Sequence, residues 1–168
     1  DDDEREMVKG LLASGLAGAF IAIGGAASNT AAHAIENVGV ARAVAGAIFG
    51  VGLMLVVFMG GELFTGNGLM ITSVMDKKTT WAKVIRNLVV VWFSNFLGAL
   101  IFDALLVYSG NLNYTSGLLG AYTIKVAIGK IALSPVQCIT SGILCNILVC
   151  FAVLMAVAAK DIVGKIWA

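Results

Sequence analysis

The feature that most constrains this chain is a break inside an apolar stretch. Ala45 to Met59 and Gly68 to Met75 are apolar runs, and between them stands Gly60-Gly61-Glu62-Leu63-Phe64-Thr65-Gly66-Asn67. Two glycines before, Gly66 and Gly68 after, and a hydroxyl and an amide among them leave the backbone free to abandon helical geometry. In a bilayer, N–H and C=O groups that leave a helix find no water, so such a break persists only where protein or a water-filled cavity surrounds it. The half-helix that restarts presents its N-terminal N–H groups and the positive end of its dipole to that cavity, an arrangement suited to an anion. A glycine kink serving packing alone is the competing reading of the segment.

Composition places the break in a membrane. Soluble domains are about a quarter charged, whereas this chain of 168 residues is 12% charged and 60% hydrophobic, with a mean hydropathy of +0.96. It reads as an all-α polytopic membrane protein, a single transmembrane domain over residues 1–168. A net charge of +1 excludes a basic nucleic-acid binder, so no nucleic acid is expected as a partner. Asp1 to Glu6 is acidic where a secretory leader would be basic, which makes the first apolar run a retained span. Because the sequence opens on Asp1, some leading residues are expected to precede it. Cys138, Cys145 and Cys150 fall within one apolar run; they read as small packing residues, and neither a disulfide framework, a metal site nor a cofactor is expected.

A span needs about 20 mainly apolar residues. Four regions qualify: Val8 to Ala31, Ala41 to Met75 with its break, Val84 to Tyr108, and Leu133 to Ala159. The second is too long for one straight crossing, which again predicts a helix that stops and restarts. In the first span Ser14, Gly15, Gly18, Ala22, Gly24 and Gly25 form a small-residue stripe that predicts a packing face. The connection from Ser28 to Arg42 holds the only histidine, His33, expected to be solvated.

Asp76, Lys77, Lys78, Lys83 and Arg86 make the connection after the break basic, which places it in the cytoplasm. Arg5, Lys9, Lys160 and Lys165 fall on the same side, and the other side has Arg42, Lys125 and Lys130. Four crossings then leave the N-terminus cytoplasmic. Asn87 and Asn95, eight residues apart in the third span, can face and bond one neighbour. Asp103, an ionisable residue in a span, reads as structural or interfacial pairing near the outer end. Ser109 to Gly129, rich in Gly, Asn, Ser and Thr, predicts an exposed connection. Lys130 then stands at the head of the fourth span, close to the only proline, Pro135. Asn146 lies mid-span, where interhelical bonding and pore lining are equally compatible with its position.

Three motifs carry a family resemblance. Gly61-Glu62-Leu63-Phe64-Thr65-Gly66-Asn67, Asn95-Phe96-Leu97-Gly98-Ala99-Leu100 and Gly142-Ile143-Leu144-Cys145-Asn146-Ile147-Leu148-Val149-Cys150, in this order and spacing, resemble the formate/nitrite transporter family. The resemblance runs through essentially the whole chain. It implies an aquaporin-like protomer of six spans in two inverted halves, with residues 1–110 as the first half and the fourth span at 130–160. It also implies homopentamers with one pore per protomer in a bacterial plasma membrane, moving formate, nitrite or hydrosulfide with or without proton coupling. Carried over, it places Phe49 at an outer hydrophobic constriction and Leu53 with Leu63 at an inner one, with Phe64 on the pathway. Thr65 would offer its hydroxyl between the constrictions, Lys130 would draw anions into the outer vestibule, and Asn146 would line the central pore.

The chain departs from the family pattern twice. Formate-channel members have Ser-Thr where Gly66-Asn67 stands here, a pair that also occurs in hydrosulfide and other branches. The family's fifth span, also broken, supplies a pore histidine and a constriction phenylalanine, and the sequence ends at Ala168 before such a segment. His33, in the first outer loop, is not that histidine. The expectation is that the conducting unit needs a second broken helix beyond Ala168 or from another piece of the assembly.

Two other function classes compete. An aquaporin-type channel for neutral solutes normally begins its half-helices with Asn-Pro-Ala, a triplet this chain lacks. A membrane-anchor subunit of a redox enzyme carrying haem on two histidines needs more than one histidine. No nucleophile and base pair points to an enzyme.

Overall fold

The computed structural model describes residues 2–168, all in helices and their connections. The order is α1 (Asp2–Ala32), α2 (Val38–Met59), α3 (Phe64–Asn67), a 3-10 turn at Gly68–Met70, α4 (Ile71–Met75), α5 (Trp81–Tyr108), a 3-10 turn at Asn111–Asn113, α6 (Leu118–Ile131), α7 (Pro135–Ala158) and α8 (Ile162–Trp167). Four stretches are long and apolar enough to cross a membrane: Arg5–Ala32, Val38–Met59, Trp81–Tyr108 and Pro135–Ala158, the shortest being 22 residues. At about 1.5 Å per residue each exceeds the roughly 30 Å hydrocarbon core. These are the four expected spans, and the second does stop and restart.

Local chemistry sets the ends. Asn37 caps α2 by accepting from the Val40 N–H at 3.0 Å. Ser134 and Gln137 form a reciprocal capping box at α7 with Pro135 in its first turn, where the missing N–H is harmless. Gly60, at φ 70°, closes α2 in the left-handed region that glycine enters without penalty.

α1 is the centre of the packing, with α2 on one flank and α5 on the other. The small-residue stripe explains why. A Cβ added to Gly24 would lie 2.8 Å from the Phe49 carbonyl oxygen, and one added to Gly52 would lie 2.9 Å from that of Phe20. On the other flank, Gly18 abuts the Asn95 backbone and Gly98 abuts the Gly15 carbonyl so closely that neither has room for a methyl group. Gly25 belongs to the predicted stripe but faces open space. Val84 and Val91 of α5, Ala17 of α1 and Leu119 of α6 are fully buried beside these contacts. α7 is peripheral: it meets mainly α3 and α8, and Ala156 is its buried residue.

Three expectations are corrected. Ser109 to Gly129 is not an exposed connection throughout, because α6 occupies Leu118–Ile131. Leu119, Thr123, Val126 and Ala127 recur at helical spacing and line a cavity of about 360 Å³ against α1 and α5; the glycines obscured that period, and one of them, Gly117 at φ 86°, starts the helix. Lys130 consequently sits in the last turn of α6 and not at the head of the fourth span, which starts at Pro135. His33 is half-buried, not solvated, with both ring nitrogens bonded: Nδ1 lies 2.7 Å from the Thr30 carbonyl and Nε2 2.9 Å from Thr115 Oγ1. The carbonyl has no proton to give, so Nδ1 donates and, in the neutral ring, Nε2 accepts from the threonine.

Candidate functional site in the broken helix

After Gly60 and Gly61 the chain runs extended through Leu63 (φ −107°, ψ 132°) before turning into α3. Extended backbone leaves polar groups without helical partners, and a side chain of α5 supplies them on either side of Leu63. That side chain is the Asn95 amide. Its Oδ1 accepts from the Phe64 N–H at 2.9 Å, and its Nδ2 donates to the Glu62 carbonyl at 2.9 Å and to the Ser14 carbonyl of α1 at 2.6 Å. Asn67 adds a second tether, its Nδ2 donating to Asn87 Oδ1 at 2.9 Å and lying 3.5 Å from a Glu62 carboxylate oxygen. Asn87 and Asn95 therefore bond one neighbour, as their spacing predicts, and that neighbour is the break itself. The Phe64 N–H, one of the donors expected to face the cavity, is instead taken by Asn95.

Thr65 differs from the rest. Its hydroxyl oxygen is buried yet has no hydrogen-bond partner among the described residues. A buried polar group without a partner costs about 1–3 kcal/mol, so this hydroxyl is held in place by the surrounding backbone and not by a bond of its own. The wall opposite comes from α7: the Cys150 thiol lies 3.6 Å from the Thr65 carbonyl oxygen, in donor range for sulfur.

The other expected site residues are distributed around this point. Leu63, Phe64 and Thr65 are half-buried in the break. Leu53 of α2 is half-buried and lines a cavity of about 200 Å³ with Met54 and Val57 from α2 and Ala152 and Ala156 from α7, with Lys165 of α8 at its edge. Asn146 precedes Cys150 by one turn of α7, so the two share a face. Its Nδ2 donates to the Gly142 carbonyl of its own helix at 2.8 Å, which uses one of the two amide hydrogens. Phe49 is 45% exposed, its carbonyl packed on Gly24. Lys130 is exposed on α6, and its side chain makes no hydrogen bond or ion pair among the described residues. Asp103 is likewise without a bonded partner among them and lines the cavity between α1, α5 and α6. The structure thus brings Thr65 and α3 together with α7, and leaves Lys130 apart on α6.

Sequence reasoning missed two participants. Cys150 reads as packing, although its position four residues after Asn146 signals a shared face. Asn95 reads as general interhelical bonding, although it lies within one of the three motifs.

Known proteins resemble this chain in sequence and in fold. The sequence profile described as "Formate/nitrite transporter" matches residues 3–168. The probable formate transporter of Methanothermobacter thermautotrophicus is 39% identical over 98% of this chain and 67% of its own length. The formate channel FocA of Haemophilus influenzae is 35% identical over 76% of this chain and 45% of its own. Among solved structures, a pentameric formate channel with formate bound superposes with a TM-score of 0.87 at 29% identity, and a channel described as an FNT family ion channel with 0.88 at 26%. Both superpositions cover 98% of this chain and 65% of the other, so the chain spans from about half to two thirds of the relatives it matches. The helix break, the small-residue crossings and these similarities agree: the chain belongs to the formate/nitrite transporter family.

Proposed function

We propose that the protein conducts small monovalent anions, formate, nitrite or hydrosulfide, across a bacterial plasma membrane. The observation that carries this reading is the buried, unpartnered Thr65 hydroxyl at a helix break in a membrane-spanning protein. A hydroxyl can donate to an anion as it sheds water, which offsets part of the cost of leaving solvent. Two relatives named as formate carriers and a neighbour with formate bound support the same substrate class.

In this reading Leu53 and Leu63 form an inner apolar constriction, Phe49 an outer one, and Phe64 borders the path with Asn146. Apolar constrictions resist a bare charge and favour an anion whose charge is shared with a donor or cancelled by a proton. Lys130 raises the local anion concentration at the outer mouth. The basic residues Lys77, Lys78, Lys83 and Arg86 set the orientation, with the N-terminus cytoplasmic. Residues 1–110 form the first inverted half, followed by the fourth span, and the assembly is a homopentamer like the solved neighbour. Neither a cofactor nor a catalysed reaction enters the mechanism.

The test is flux into liposomes carrying the reconstituted protein, with formate, nitrite, hydrosulfide, acetate and chloride compared. Formate, nitrite or hydrosulfide should cross at least about tenfold faster than chloride, the factor that a difference of about 1.4 kcal/mol produces. Rates equal to those of protein-free liposomes for all three would defeat the proposal.

A further inference from the structure

We infer that Asn95 is a selectivity-positioning residue, whose amide fixes the width of the pathway at Leu63 by gripping the backbone on both sides of that residue. This inference rests on the channel reading of the break. Leu63 is extended: its carbonyl accepts the first bond of α3, from the Asn67 N–H at 2.8 Å, while the groups on either side of the residue turn to Asn95. Asn95 bonds the carbonyl of the preceding residue, Glu62, and the N–H of the following one, Phe64, each at 2.9 Å. One planar amide therefore sets the distance between the two atoms that flank Leu63. Its remaining hydrogen goes to the Ser14 carbonyl at 2.6 Å, so the grip is referred to α1.

The anchor is rigid for a reason independent of these bonds. Gly18 and Gly98 seat α1 and α5 backbone against backbone on either side of Asn95, with no space for a Cβ, and close-packed backbones do not slide cheaply. Both N–H donors of the amide are used, on two carbonyls, and its oxygen accepts one N–H. No aliphatic, hydroxyl or carboxylate side chain supplies that set. Asn95 does not touch the pathway in this scheme; it acts through Leu63.

The experiment replaces Asn95 in the whole reconstituted protein. Asn95→Leu is near-isosteric and removes all three bonds; Asn95→Asp keeps the acceptor for Phe64 and loses donors. Two quantities are read: the ratio of formate to acetate flux, and backbone hydrogen exchange across residues 61–67. The expected result is a formate-to-acetate ratio lowered about tenfold in Asn95→Leu, since losing one or two hydrogen bonds is worth that factor, and by less in Asn95→Asp. Exchange should speed up at 61–67 and stay unchanged in α2 and α5. An unchanged ratio, or both fluxes falling in proportion with exchange at 61–67 unaltered, would overturn the assignment. If Asn95→Leu does not assemble, the same two readings on Asn95→Asp decide. Should the unaltered protein carry neither anion, the channel reading fails by itself, while the exchange measurement still reports whether Asn95 grips the break.

Discussion

The Cys150 thiol and the Thr65 carbonyl oxygen lie 3.6 Å apart, and this contact is where α7, otherwise peripheral, reaches the break in the second span. It occupies the Thr65 carbonyl while leaving the Thr65 hydroxyl without a partner. Function and stability therefore pull in opposite directions at one residue, which gives an uncommon kind of prediction.

Thr65→Val preserves shape and deletes the hydroxyl. Stability should rise, by about 1 kcal/mol, because an unpaired buried oxygen is replaced by a methyl group. Anion flux should fall about tenfold, the loss of one donor worth about 1.4 kcal/mol to the permeating ion. Thermal unfolding in detergent and liposome flux on the same preparation check both signs. Flux at the original rate would leave the break as a structural kink.

The Lys130 side chain makes no hydrogen bond or ion pair among the described residues and stands exposed at the end of α6. If it acts through charge, Lys130→Ala should slow uptake about threefold to tenfold at low substrate and low salt, within the range that electrostatic steering produces. Lys130→Arg should slow it less, and the effect should shrink as salt rises. Equal rates for all three proteins across substrate concentrations would make Lys130 a lysine seated among lipid headgroups.

Gly18 and Gly25, two turns apart on one face of α1, respond oppositely to the same change. Gly18→Ala drives a methyl group into the Asn95 backbone, and overpacking of this kind costs about 1–3 kcal/mol or more. Gly25→Ala meets open space and should be neutral or slightly stabilising, since alanine is the better helix former. Melting temperatures of the two variants, measured side by side, test whether the small-residue stripe packs as described.

His33 ties the end of α1 to the loop between α5 and α6 through Thr115, where Thr115 and Ser116 both have φ near 54°, a region costly for residues other than glycine. His33→Ala should loosen residues 109–117, seen as faster proteolysis or hydrogen exchange there, with anion flux retained. Protection equal to that of the unaltered protein would show that the loop holds its shape without the histidine.

The sequence by itself determined the four spans, the break in the second and the packing stripe on the first. Each of these is a local property: hydropathy over a window, glycine placement, and side-chain period along one helix. Even the pairing of Asn87 and Asn95 with a common neighbour follows from their spacing on one helix face. What only the tertiary structure decided is which neighbour. Asn95 reaches Glu62, Phe64 and Ser14 because Gly18 and Gly98 let α1 and α5 touch backbone to backbone, and the rotation of that crossing is not written in either helix alone. The same holds for Cys150 against Thr65, 85 positions apart. Helix α6 escaped detection because its glycines broke the apolar period, while its buried face exists only once α1 and α5 form the cavity it covers. A hydrogen bond needs its partners within a few tenths of an ångström, and hydropathy and spacing fix positions along a helix to about one turn.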